Sequence, residues 1–145
     1  MRKNLPKLTI PTKEDIKWLI YTDASENYWG AALYYEEKEK ELITRYASGK
    51  FNDSQSRYHS TWKEFLAIVK AVEKFELLIV NSHFTIRTNN TQVRYWLEKG
   101  IRTTKLANKM SIKWQCDLAY YDYEIEYIKG KNNLIADYLS RDGAK

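Results

Sequence analysis

Residues 16–25, IKWLIYTDAS, constrain this chain more than any other stretch. Ile16, Trp18, Leu19, Ile20 and Tyr21 form a run of β-branched and aromatic residues, the pattern of a strand buried on both faces at the centre of a sheet. The run stops at Asp23, which is followed by two small residues, Ala24 and Ser25. A carboxylate at the end of a rigid central strand is well placed to hold a metal ion, because its backbone cannot drift. The same Asp could instead open a turn toward Asn27 and Gly30. Whether other acids reach the same place decides between the two.

A chain of 145 residues fits one domain with a sizeable core, and 43% hydrophobic residues with only 5 Gly and 2 Pro argue for compact packing rather than disorder. No apolar run approaches the length of a membrane span, and the basic start is not followed by a secretory apolar segment, so a soluble intracellular chain is expected. Cys116 alone excludes an internal disulfide, and with only His59 and His83 there is no thiolate or imidazole zinc site. Any metal must be bound by carboxylates, which suits Mg²⁺ or Mn²⁺. A net charge of +5 hints at a polyanionic partner, and 12 Tyr and 5 Trp supply rings either for core packing or for sugars and bases.

Residues 1–14, with Pro6 and Pro11, read as an extended lead-in or linker, residues 15–142 as the folded domain, and residues 143–145 as a tail. Strands are expected at 16–22, 28–35 and 42–48; their short polar links, the second of them Glu36 to Glu41, pair them as an antiparallel meander. Residues 51–59 read as polar loop. The period then becomes helical, with Phe65, Leu66, Ile68, Val69, Val72, Phe75 and Leu78 marking one buried side of a helix over about 61–80. A fourth strand at 83–88 should run parallel to the first by a right-handed crossover. A short helix over 91–99 ends at Gly100, and another over 105–119 carries the stripe Leu106, Met110, Trp114 and Leu118 beside a basic stripe of Lys105, Lys109 and Lys113. A final strand at 124–129 leads to a helix capped by Asn132 or Asn133 and running to Arg141. The order is βββαβααβα.

Three further positions begin or end elements where they could meet Asp23: Glu64 in the first turn of the long helix, Asn89 just past the fourth strand, and Asp137 in the first turns of the last helix. Each has an ordinary structural role open to it. Thr61 to Glu64 fits a capping box, Asn89 with Asn90 a turn pair, and Asp137 with Arg141 an exposed ion pair. The expected order puts the first and fourth strands side by side at mid-sheet with their ends facing the same way, which favours a shared site.

The segments YTDAS (21–25), YHSTWKEFLAIVKA (58–71), HFTIRTNNTQ (83–92) and EYIKGKNNLIADYLSR (126–141) resemble the ribonuclease H domain of reverse transcriptases. The look is nearest to plant pararetroviruses (caulimovirids such as badnaviruses and tungroviruses) and related LTR retrotransposons. The resemblance runs from Ile16 to Arg141 and implies the ribonuclease H-like α/β fold, a five-stranded mixed sheet flanked by helices. It also implies four metal-binding catalytic carboxylates, matched here by Asp23, Glu64, Asn89 and Asp137. The third is a departure: family members read R-T-D where this chain reads Arg87-Thr88-Asn89.

The implied reaction is two-metal hydrolysis, with Mg²⁺ or Mn²⁺, of the RNA strand of an RNA/DNA hybrid during reverse transcription. Asn89 keeps the shape and one oxygen but removes a full negative charge, so a weakened or inactive form is expected. Implied partners are the hybrid and an upstream polymerase domain of the same polyprotein, with no membrane, a monomeric isolated domain and action in the host cell cytoplasm, in a replication complex or particle. Hybrid recognition should rest on phosphate and 2′-hydroxyl contacts. The nearest polar groups are Ser25, Glu26, Asn27, Tyr28, Asn90 and Gln92, and the phosphate-contact candidates are Arg87, Arg94, Lys105, Lys109 and Lys113. Some relatives carry a His in the loop before the last acid; here residues 129–133 hold none, and Tyr127 is only a distant substitute. Two other classes stay open: a non-catalytic hybrid- or duplex-binding module that keeps the fold as a spacer, like retroviral connection domains, which would be expected to lose its acids broadly, and an integrase-type polynucleotidyl transferase, whose acid spacing does not match.

Overall fold

The computed structural model describes residues 5–12, 16–99 and 109–141. The chain forms β1 (Lys17–Ala24), β2 (Tyr28–Glu37), β3 (Lys40–Lys50), α1 (Asp53–Ser56), α2 (Ser60–Ile79), β4 (His83–Thr88), α3 (Thr91–Lys99), α4 (Lys109–Ala119), β5 (Asp122–Tyr127) and α5 (Leu134–Leu139), with a 3-10 turn at Gly130–Asn132 before α5. The five strands make one mixed sheet in the order β3-β2-β1-β4-β5. The opening strand is therefore central, antiparallel to β2 and parallel to β4, as its composition requires.

Alternation along β1 and β2 sends Trp18, Ile20, Trp29, Ala31 and Leu33 to the main core, where α2 closes over them with Phe65, Ile68 and Val72. α3 and α4 complete this layer through Trp96, Trp114 and Leu118. Burial of this apolar face is the chief driving force for the fold, at roughly 25 cal/mol per Å² of apolar surface.

The opposite face is covered differently. The short α5 lies directly on β2 and β1, and its approach depends on Gly30, which pairs with Asp23 across the sheet. A Cβ at Gly30 would stand 2.4 Å from the Ala136 carbonyl oxygen and 2.6 Å from the Ser140 nitrogen, both backbone atoms of α5 or its cap. Ser25 Oγ donates to the Ser140 carbonyl, and Asn133 Nδ2 donates to the Thr22 carbonyl at 2.7 Å, so α5 is tied down at both ends.

Several boundaries differ from the sequence reading. The stretch read as polar loop contains α1, because Asn52 and Gln55 form a reciprocal capping box with bonds of 2.8 and 3.0 Å. The Thr61–Glu64 capping box does not form. His59 is the N-cap, its Nδ1 accepting from Thr61 N–H, and α2 therefore starts one residue earlier. The last strand begins at Asp122 and ends at Tyr127. The lead-in is extended but not detached: Thr9 N–H and Oγ1 both donate to the Ile43 carbonyl, and Tyr35 OH donates to Thr9 Oγ1 at 2.8 Å. It thereby covers part of the exposed edge strand β3. The expected start of α4 at Lys105, with Leu106, falls outside the described residues. Among the described residues no helix is long and apolar enough to cross a membrane.

Gly30→Ala forces α5 off the sheet. It should cost about 1–3 kcal/mol in urea unfolding and speed amide hydrogen exchange in α5, while α2 keeps its protection.

Candidate active site

The end of β1 brings carboxylates together from three elements. The Ala24 N–H is shared between Asp23 Oδ1 at 2.9 Å and Glu64 Oε1 at 3.0 Å, so one backbone donor fixes the strand acid and the α2 acid to each other. Glu64 is free to reach this point because His59, not Glu64, satisfies the start of α2. Asp23 and Glu64 are each 7% exposed. Glu64 Oε2 is buried without a hydrogen-bond partner.

Asp137 completes the group from α5. Its carboxyl lies close enough to Asp23 to raise that group's proton affinity, and it accepts from Arg141 Nε at 3.1 Å and Nη2 at 3.2 Å. The ion pair and the shared site are both realised, because the two carboxylate oxygens offer enough lone pairs for both.

The electrostatic result is a cluster that holds protons tightly. Burial, and next the hydrogen bond with Asp137, push the Asp23 carboxyl up to about 6, against the pull of the Ala24 N–H and Glu64. Burial, followed by the neighbouring Asp23 charge and the bond to it, pushes Glu64 up to about 9. Of the two, Glu64 is the one whose carboxyl holds its proton more tightly. The donors are oxygen only, and the orphaned Glu64 Oε2 is an open lone pair, so Asp23, Glu64 and Asp137 fit a hard divalent cation. Among the described residues, however, no three His, Cys, Asp or Glu side chains are already spread as a metal cage. Asp23 and Glu64 converge on the shared Ala24 N–H instead.

Asn89 lies at the matching end of β4. Tyr21 pairs with Arg87 across the parallel strands, so Asp23 and Asn89, each two residues further on, emerge at the same end and on the same side of the sheet. Its half-buried amide faces the turn before α5: a Cβ on Gly130 would be 3.6 Å from Asn89 Nδ2.

The expected substrate contacts divide sharply. Arg87 is not a free phosphate ligand. Its guanidinium bonds Glu41 at 2.7 Å and Glu126 at 3.0 Å, touches the Tyr21 hydroxyl, and so links four of the five strands, β3, β1, β4 and β5, behind the acids. Ser25 Oγ is used on Ser140, and Asn90 Oδ1 caps α3 by accepting from Val93 N–H at 2.8 Å. Arg94 pairs with Glu98, and Lys113 with Asp117. Glu26, Asn27, Gln92 and Lys109 are exposed, Tyr28 is half-buried, and Lys105 lies outside the described residues. Tyr127 ends β5 with its ring partly exposed.

Sequence reasoning missed Lys63. It is 8% exposed, and its Nζ donates to the Glu26 carbonyl at 2.7 Å, pinning the β1–β2 turn to α2 beside Glu64. No pattern distinguishes it from a solvated helix lysine. Asn133 was read only as a helix cap, which its side chain is not.

A family model described as the RNase H-like domain found in reverse transcriptase matches residues 14–121. The chain belongs to that family. Over 149 residues this RNase H-like domain is 39% identical to the enzymatic polyprotein of Cauliflower mosaic virus (strain D/H), covering 98% of the chain and 22% of the polyprotein. It is 36% identical to those of Carnation etched ring virus and Figwort mosaic virus, over 97% and 98% of the chain. These matches extend past residue 121, where the family model stops, and so take in α5. The domain spans only about a fifth of the length of these relatives. The likeness to plant pararetroviruses read from the sequence is thereby shown.

Solved structures share the fold at low identity. LC11-RNase H1 in complex with RNA/DNA hybrid aligns with a TM-score of 0.63 at 16% identity, covering 85% of this chain and 93% of that one. The RNase H domain of a Mycobacterium tuberculosis protein, solved as a fusion with maltose binding protein, aligns at 0.65 and 13%, covering 89% and 94%. The foamy viral protease-reverse transcriptase in complex with RNA/DNA hybrid aligns at 0.61 and 16%, over 80% of this chain and 16% of that one.

Both buried acids keep protons in the folded domain at pH values where the unfolded chain has released them. Stability should therefore fall as pH rises from the ordinary carboxylate range through about 6 for Asp23 and on toward about 9 for Glu64. Glu64→Gln removes the larger part of this penalty. Thermal unfolding should show the variant more stable than the parent at pH 8, by on the order of 1–2 kcal/mol, and nearly equal to it at pH 5.

Proposed function

We propose that this domain hydrolyses the RNA strand of RNA/DNA hybrids during reverse transcription, in a form weakened by Asn89. The observation that carries the reading is the convergence of Asp23, Glu64 and Asp137 at the end of the central strand, with Asn89 emerging beside them. A spacer domain has no use for three carboxylates held against their mutual repulsion.

Asp23, Glu64 and Asp137, with the Asn89 amide oxygen, would hold the divalent ions, two Mg²⁺ or Mn²⁺. Such ions supply an activated water nucleophile and stabilise the departing 3′ oxygen. The chain's own residues prepare the place. Asp23, on the central strand, is the member of the group that interacts with both other acids. Glu64 must give up its proton for its two oxygens to serve as ligands, and Asp137 must share its carboxylate with Arg141. Lys63 and Ser25 hold the β1–β2 turn, so that Asn27 and Tyr28 are presented in a fixed loop where 2′-hydroxyls would lie. With an amide at 89, one negative charge fewer offsets the four positive charges of two ions, and their binding weakens.

The hybrid is the proposed partner, with the reverse transcriptase portion of the same polyprotein beside it in a cytoplasmic replication complex or particle. The isolated domain acts as a monomer.

Asn89→Asp restores the fourth charge. Mg²⁺-dependent cleavage of a labelled hybrid should rise at least about tenfold, with little change in hybrid affinity. Equal cleavage by the two forms defeats the assignment of Asn89 as the weakened position. Titrating the parent with hybrid, double-stranded RNA and double-stranded DNA at one salt concentration should show preference for the hybrid; no preference among the three favours a spacer.

A further inference from the structure

Asn133 is 1% exposed, and its expected role as a helix cap does not explain that burial. It stands at the N-cap of α5, yet its side chain makes no capping bond. Nδ2 instead donates to the Thr22 carbonyl at 2.7 Å, while the main-chain carbonyl of the same residue accepts from Asp137 N–H at 3.0 Å. Thr22 is peptide-bonded to Asp23. One residue therefore grips the backbone beside the strand acid with its side chain and the backbone of the helix acid with its carbonyl.

We infer that Asn133 is a positioning residue that sets the approach of Asp137 to Asp23, an inference that rests on reading these acids as the metal-binding site. The attachments of α5 divide the work. Gly30 sets how closely the helix lies on the sheet, and Ser25 holds its C-terminal end through Ser140. Neither fixes the N-terminal end along the direction of β1. Asn133 does, and it does so at the turn that carries Asp137. The arrangement is costly for a mere anchor. The first-turn N–H groups of α5 go without a side-chain cap, and both Asn133 Oδ1 and Thr22 Oγ1 are buried without a hydrogen-bond partner. Ser, Thr or Asp at 133 would cap the helix better, but the Ser hydroxyl is too short to reach Thr22, Thr fills the space with a methyl group, and Asp presents oxygen to a carbonyl.

Asn133→Ser separates the two roles, since Ser caps a helix well and cannot bridge to Thr22. In the full chain, the variant should unfold cooperatively at close to the parent's temperature. Its amides at Ala24 and Asp137 should exchange at least about tenfold faster, and Mn²⁺ binding, followed by the electron paramagnetic resonance of the free ion, should weaken about tenfold. Asn133→Leu, which keeps the bulk and loses the donor, should show the same loss of Mn²⁺ affinity. If Asn133→Ser matches the parent in both exchange and Mn²⁺ affinity, the Asn133 bridge does not position the acids and the inference is overturned. If the parent itself binds no Mn²⁺, the metal-site reading is what fails. Exchange then decides alone: joint loss of protection at Ala24 and Asp137 supports the bridge, and unchanged protection overturns it.

Discussion

The close contact between Gly30 and α5 is the constraint on which the site depends. A sheet face normally keeps a helix away by the length of the side chains between them, and on the main-core side α2 rests on Trp18, Ile20 and Leu33 in that way. On the other face the backbone of α5 comes down onto a residue with no side chain, directly across from Asp23. Only this lets so short a helix deliver a carboxylate to the end of the central strand. Ala136 and Ser140 are small and buried for the same reason. The sequence A-D-x-L-S-R is the imprint of a helix lying flat on a glycine.

Once the acids are together, electrostatics governs. Three carboxylates from a strand and two helices, two of them nearly dry, cannot all be ionised at neutral pH without compensation. The backbone N–H of Ala24 and the guanidinium of Arg141 supply part of it, and a retained proton on Glu64 the rest. Behind the acids, Arg87 is consumed by Glu41, Glu126 and Tyr21. It locks the strands, a role that follows from its register opposite Glu126 on β5 and from a side chain long enough to cross Tyr21 to Glu41 on β3.

Much of this was legible beforehand. The central strand and the parallel pairing of β1 with β4 followed from hydrophobic period and from the handedness of crossovers, which depend on local sterics. The four candidate positions stood out because each lies near an element end. What could not be read was the partner of each polar side chain. Glu64 looked like part of a capping box, Asn133 like a cap and Arg87 like a phosphate ligand, and Lys63 drew no reading at all. In each case the true partner lies at least 37 residues away in the chain, and local spacing carries no information about it. α1 is the opposite case, a capping box between Asn52 and Gln55 that spacing does reveal.

The sequence by itself determined the layout: a doubly covered central strand ending in an acid, the order of elements, and an amide at position 89 just past the end of the fourth strand. These are matters of residue type and period, and they survive any detail of packing. The tertiary structure decided which groups are dry, which acids hold their protons more tightly and which side chains are already spent on one another. Those outcomes depend on distances between residues remote in sequence, and burial converts such distances into free energy only after the chain has closed around them.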